Sequence, residues 1–182
     1  MRSIPTRLAG LVHLAPDVHG DERGFFVETF RRDALEALGI SEEFVQDNHS
    51  RSRRGTLRGM HFQVGIGQGK LVRAARGTIL DVAVDIRRAS PTYGSHEAFE
   101  LDDVSHHQLY VPVGFAHGFL VTSDEADVCY KVTSYYDPAA ERGIAWNDPA
   151  VGIEWPVLEL ILSARDRELP TLAVIESTLP DW

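Results

Sequence analysis

Apolar and polar positions alternate through the middle of the chain, in TILDVAVDI (78–86), HQLYVPV (107–113), HGFLVTS (117–123) and DVCYKVTSYY (127–136). β-Branched and aromatic residues dominate the apolar positions, and turn-forming groups such as RASPTYG (88–94) and TSDEAD (122–127) separate the runs. Period-two alternation with this punctuation predicts antiparallel strands arranged as a sandwich or barrel. A helical period appears in two places. RRDALEALG (31–39) puts Ala34, Leu35 and Leu38 on one stripe and stops at Gly39. SARDRELP (163–170) offers Ser163 as an N-cap with Asp166 three residues on, and Pro170 closes it. The expected architecture is mainly β, with a few short peripheral helices.

Composition narrows the class. The 182 residues are 43% hydrophobic and show no repeat, low-complexity tract or Pro/Gly/Ser linker, so one domain spanning 1–182 is expected. No apolar run approaches the roughly 18 residues of a membrane span, and no signal-type segment opens the chain. A single cysteine, Cys129, precludes an intrachain disulfide and suits a cytoplasmic setting. The net charge of −9 argues against a nucleic-acid partner. Its distribution is uneven. Between Arg51 and Arg76 lie Arg51, Arg53, Arg54, Arg58, Lys70, Arg73 and Arg76 with no carboxylate, while the rest of the chain holds all 27 acidic residues. Such a stretch fits either a local anion site, for which the planar guanidinium fork is suited, or a solvated basic loop.

Two stretches carry candidate chemistry. GTLRGMHFQ (55–63) reads as a strand on which strict alternation places Gly59, His61 and Gln63 on one face and Arg58 on the other. VPVGFAHGF (111–119) carries a Pro-x-Gly-x-x-His motif after a strand, similar to the second motif of the cupin superfamily, whose histidine points into a β-barrel. The first cupin motif commonly supplies a His-x-His pair, but His61-Phe62-Gln63 stands here, and glutamine is a poor ligand for a divalent transition metal. Without a metal, His61 can serve as a base, since imidazole titrates near neutrality. Tyr130, on the face of Val128 and Val132, is either a packed core tyrosine or a proton donor.

GDERGFFVETFR (20–31), FVQDNHSRSRRGTLRGMHFQ (44–63), QGKLVRAARGTILDVAVDIR (68–87), LYVPVGFAHGF (109–119) and YKVTSYYDPAAERGIAWNDP (130–149) together resemble the dTDP-4-dehydrorhamnose 3,5-epimerase family, from about residue 5 to residue 172. The resemblance implies a cupin-type jelly roll, usually a homodimer, acting without metal or other cofactor on dTDP-4-dehydro-6-deoxy-D-glucose. The 4-ketone acidifies the hydrogens on carbons 3 and 5. Proton removal gives an enolate, and return of a proton to the opposite face inverts each carbon. By this resemblance His61 is the base, Asp166 the carboxylate that orients it, Tyr130 the proton donor and Lys70 the cation beside the carbonyl oxygen. Arg23 and Arg58 match diphosphate-region positions; Glu28, Gln46, Asp47 and Asn48 match the thymidine pocket. His117, Glu141 and Arg165 match further substrate contacts, and Tyr136 matches an aromatic that stacks on the ligand. Asp166 is also accounted for as a capping residue, and Glu141 as a turn carboxylate. The loop VGIGQG (64–69) is richer in glycine than this family's usual version. A single-site epimerase of a dTDP-4-keto-6-deoxy sugar, a metal-dependent cupin enzyme and a non-catalytic sugar-nucleotide module are the competing readings.

Overall fold

The structure, a computed structural model, describes residues 1–182. The chain forms β1 (Arg2–Ile4), β2 (Val12–Ala15), β3 (Val18–Asp21), β4 (Gly24–Val27), α1 (Arg32–Glu36), β5 (Gln46–Arg53), β6 (Leu57–Gln63), β7 (Lys70–Arg76), β8 (Thr78–Asp85) and β9 (His96–Asp102). It continues with β10 (Gln108–Val111), β11 (Phe115–Val121), β12 (Glu125–Val132), β13 (Glu141–Gly143), α2 (Ala164–Arg167) and α3 (Leu172–Ile175). A six-stranded sheet runs β1-β2-β10-β7-β12-β5 and a five-stranded sheet runs β13-β6-β11-β8-β9, with all named pairings antiparallel; β3 and β4 form a separate hairpin. This is the jelly roll that the resemblance implies, built from the antiparallel strands that the alternating runs predict.

Three apolar clusters account for the packing. Between the sheets, Val72 and Ala74 of β7, Ala83 of β8, Phe119 and Val121 of β11 and Val128 of β12 interdigitate, and Tyr130 packs against them. On the outer face of the five-stranded sheet, Met60, Phe62, Val82, Val84 and Ala116 meet Ile144, Val151, Leu172 and Leu179 from the C-terminal segment. That cover, with the packing between the sheets on the other side, explains why β11 is buried at every position. On the outer face of the six-stranded sheet, Leu35 and Ile40 from α1 and the turn after it sit on Leu14, Leu71 and Tyr110. Leu35 is the buried member of the stripe in 31–39, and the helix ends before Gly39 at φ +87°.

Both helical readings hold, with α2 opening as expected: Ser163 Oγ accepts a hydrogen bond from the Asp166 N–H at 3.0 Å. Strict alternation fails on β6. Its register against β11 pairs His117 with His61 but Phe119 with Arg58, so β6 carries one extra residue between them. A bulge of this kind turns Arg58 onto the face of His61 and Gln63. Gly59 sits at the bulge with φ +140°, and a Cβ there would lie 2.5 Å from Gly118 Cα. Two glycines face each other because neither strand has room for a side chain at that point.

Candidate active site

At one end of the space between the sheets the apolar core gives way to a cavity of about 470 Å³. Its walls come from inward positions of both sheets: Gln46, Asn48 and Ser50 of β5, Lys70 of β7 and Tyr130 of β12 from one, Arg58, His61 and Gln63 of β6 and His117 of β11 from the other. Glu141 of β13, Tyr136 before it, and Ser163, Arg165 and Asp166 around α2 close the rim.

His61 is partly exposed to the cavity, and its Nε2 lies 2.6 Å from Asp166 Oδ1, whose side chain is 5% exposed. The Asp166 backbone caps α2 while its carboxylate reaches across to β6, so the capping role and the orienting role coexist. Burial alone would raise the Asp166 pKa; the hydrogen bond to His61, its charge and the bond to Ser163 outweigh that and hold it below the usual carboxylate value. An ionised carboxylate on Nε2 leaves Nδ1 as the basic nitrogen for a ligand. Tyr130 stands on the opposite sheet. Burial, opposed by Arg58 and reinforced by Glu141, raises its pKa, which keeps the phenol protonated.

Lys70 Nζ donates to the His61 carbonyl at 3.3 Å. Desolvation pushes its pKa down to about 8, against the upward pull of Asp81 and Glu141. The loop before Lys70 is tied down despite its glycines. Ser134 Oγ donates to the Gly67 carbonyl at 2.9 Å, Gln68 Nε2 to the Ser134 carbonyl at 2.9 Å, and the Gly69 N–H to Thr133 Oγ1 at 2.8 Å. At the rim, Tyr136 Oη (2.5 Å) and Arg165 Nη1 (2.6 Å) both donate to Glu141 Oε2. Glu141 is therefore no free turn carboxylate: burial raises its pKa, but these bonds carry it net below normal. Deeper in the chain of contacts, Gln46 Oε1 accepts from the Tyr136 N–H at 3.0 Å, and Gln46 Nε2 donates to Asn48 Oδ1 at 2.8 Å.

Eleven of the fourteen residues expected at the site line this one cavity: His61, Lys70, Tyr130, Asp166, Gln46, Asn48, Arg58, His117, Tyr136, Glu141 and Arg165. Three do not. Asp47 points to the outer face, ion-paired with Lys131 at 2.8 Å. Arg23 is on the exposed β3–β4 hairpin, paired with Asp21, and Glu28 follows that hairpin on the surface. Of the seven basic residues between Arg51 and Arg76, only Arg58 and Lys70 reach the cavity; Arg51 pairs with Asp127 at 2.7 Å and Arg76 with Glu125 at 3.1 Å. The anion-site reading therefore applies to two of them, and the carboxylates of β12 neutralise the others named.

One buried carboxylate behind the cavity escaped the sequence reading. Asp81 on β8 is fully buried, and its two oxygens lie 3.0 and 2.9 Å from His117 Nε2. The signal was there, because alternation in TILDVAVDI puts a carboxylate on the inward face beside Ile79 and Ala83. The donor set does not suit a metal. His61 and His117 each have Nε2 engaged by a carboxylate, and Gln63 offers only an amide where a second histidine would be needed.

An oriented imidazole on one wall, a protonated phenol on the other and a lysine between them define an acid–base enzyme of the jelly-roll class, equipped for proton transfer at carbon. The family model for dTDP-4-dehydrorhamnose 3,5-epimerase matches residues 5–174. The chain belongs to that family. It is 50% identical over 169 residues to the dTDP-4-dehydrorhamnose 3,5-epimerase of Methanothermobacter thermautotrophicus, covering 91% of each chain. To the Salmonella typhimurium enzyme of the same name it is 50% identical over 172 residues, covering 93% of this chain and 94% of that one. Its fold superposes with a TM-score of 0.97 on the crystal structure of the dTDP-6-deoxy-D-glucose-3,5-epimerase of Legionella pneumophila in complex with dTDP-4-keto-L-rhamnose. That structure is 44% identical, and the match covers 100% of this chain and 98% of that one.

Proposed function

We propose that the protein epimerises dTDP-4-dehydro-6-deoxy-D-glucose at carbons 3 and 5 to dTDP-4-dehydro-L-rhamnose, by proton removal and return on opposite faces of an enolate. The observation that carries the reading is the division of labour between sheets. The base pair His61–Asp166 is built on β6 and α2, and Tyr130 on β12 of the facing sheet. A sugar ring held between them has a base on one side and an acid on the other.

In this mechanism His61 Nδ1 takes the proton from carbon 3 or carbon 5, and Asp166 holds the ring and stabilises the imidazolium. Charge collects on the C4 oxygen, where the Lys70 ammonium stabilises it; a fixed cation in a desolvated site counts most where charge develops. Tyr130 gives its proton to the other face. Arg58, on the phosphate side of His61, suits the diphosphate, and Gln46 and Asn48 suit the base and deoxyribose. No step is routed through a metal.

The reading includes a homodimer in a cytoplasmic setting. Phe25 and Phe26 on the β3–β4 hairpin are 61% and 69% exposed, an apolar surface a second copy would cover. Arg23 and Glu28 accompany that hairpin, so in the dimer they would serve the partner's nucleotide site rather than their own. The test is proton NMR of the substrate with the protein in deuterated water. Deuterium at carbons 3 and 5, with couplings changing to the L-rhamno pattern, is expected. Label at one carbon would make this a single-site epimerase, and no label with nucleotide still bound would make it a binding module.

A further inference from the structure

We infer that Gln63 is a catalytic residue whose side-chain Nε2–H donates a hydrogen bond to the C4 oxygen as it becomes an enolate, sharing that oxygen with Lys70. The inference rests on the function proposed above and assigns a role to a deeply buried polar side chain of the cavity that the mechanism leaves unused.

Gln63 is 6% exposed and lines the cavity, yet its Nε2 is buried with no hydrogen-bond partner. A buried donor left unpaired is costly, and native structures rarely keep one without reason. No neighbour relieves it in the structure. Its register partner Glu141 accepts from Tyr136 and Arg165 through Oε2, and Lys70 is itself a donor. An acceptor that arrives with the ligand would satisfy it.

Position along β6 says which acceptor. Arg58, His61 and Gln63 follow one another on the cavity face, so the strand runs from the diphosphate side, past the base, to Gln63. Two residues of strand carry Gln63 about 6.6 Å beyond His61. In the pyranose ring C4 lies across from C1, the carbon that bears the diphosphate, so the C4 oxygen is the polar atom that points this way. It is a pure acceptor, and its charge grows at the moment of reaction. Lys70 enters from the facing sheet at the His61 carbonyl, on the same stretch of β6. An ammonium and a neutral amide converge there as a two-donor oxyanion site, and the amide contributes without exchanging a proton.

The experiment compares wild type, Gln63→Met and Gln63→Glu in steady-state turnover and in deuterium incorporation at carbons 3 and 5, with dTDP affinity and melting temperature measured alongside. Gln63→Met should lose about 10²-fold in kcat, as removal of one oxyanion donor does elsewhere. The loss should be equal at both carbons, since both enolates share the oxygen, with KM and dTDP affinity within a few-fold and no fall in melting temperature. Gln63→Glu, nearly isosteric, should lose more, because a carboxylate repels the enolate; it carries the test if the methionine variant fails to fold. Turnover within threefold of wild type, a loss confined to KM or to one carbon, or a glutamate variant more active than the methionine one would overturn the inference. Absence of any exchange in the wild type would instead overturn the function, and this assignment with it.

Discussion

Asp166 joins two interactions that compete in many proteins. Its N–H caps α2 through Ser163, and its carboxylate orients His61 from a nearly dry position. Ser163→Ala should therefore do more than remove a cap worth about 0.5–2 kcal/mol; it should also lower kcat by loosening the carboxylate, which thermal melting and turnover measured together will show. Under the proposed mechanism the roles of His61 and Tyr130 separate cleanly. His61→Ala should abolish deuterium uptake at both carbons. Tyr130→Phe should reduce net inversion more than exchange, because His61 can return a proton to the face it came from; equal loss of both would count against two-sided transfer. Lys70 gives the pH dependence. Its folded pKa of about 8 lies below the ordinary lysine value of 10.5, so the unfolded chain holds the extra proton between those values and stability rises with pH there. Below about pH 8 the penalty is fully present, on the order of 3 kcal/mol. Lys70→Met should then be more stable than wild type at pH 7, by an amount that shrinks towards pH 10, while losing turnover. In the wild type, kcat should fall as pH rises through about 8 and the ammonium is lost.

Among the elements, β6 shows best what a sequence can and cannot reveal. GTLRGMHFQ displays its alternation, its histidine and its glutamine, but alternation alone sends Arg58 to the wrong face. The bulge that corrects it exists because Gly59 and Gly118 approach too closely for any Cβ, a relation between residues far apart in the chain. Gly59→Ala should cost several kcal/mol by clash and positive φ together, and variants that still fold should bind the nucleotide less well, since Arg58 and His61 would lose their common face. β12 and β8 were legible because an apolar inner face is written as period two, although Asp81 within β8 was passed over. β5 was not, because its inward Gln46, Asn48 and Ser50 and its outward Asp47, His49 and Arg51 are polar alike; only the family resemblance marked it. The C-terminal cover of the five-stranded sheet was equally hidden. Most of it follows no regular period, and Val151, Leu172 and Leu179 reveal their role only against the sheet they dry out.

For the whole molecule, the proposed dimer would make the hairpin carrying Phe25 and Phe26 a link between assembly and catalysis. Phe26→Asp should shift the protein towards monomer in light scattering and weaken substrate affinity through the displaced Arg23 and Glu28, with the His61–Asp166 pair untouched. The placement of base and acid on facing sheets has a wider consequence. The gap that the sugar must bridge is gauged by side chains that never meet it, Val72, Ala83 and Val128 in the filling between the layers. Thinning that filling, as in Val128→Ala, changes the reach of Tyr130 relative to His61 while leaving both groups in place. The outcome to look for is stereochemical leakage: more solvent deuterium returned with retention for each inversion completed. In such an enzyme fidelity at a carbon centre belongs partly to the packing of its interior, and drift in the core would be read out as handedness of the product.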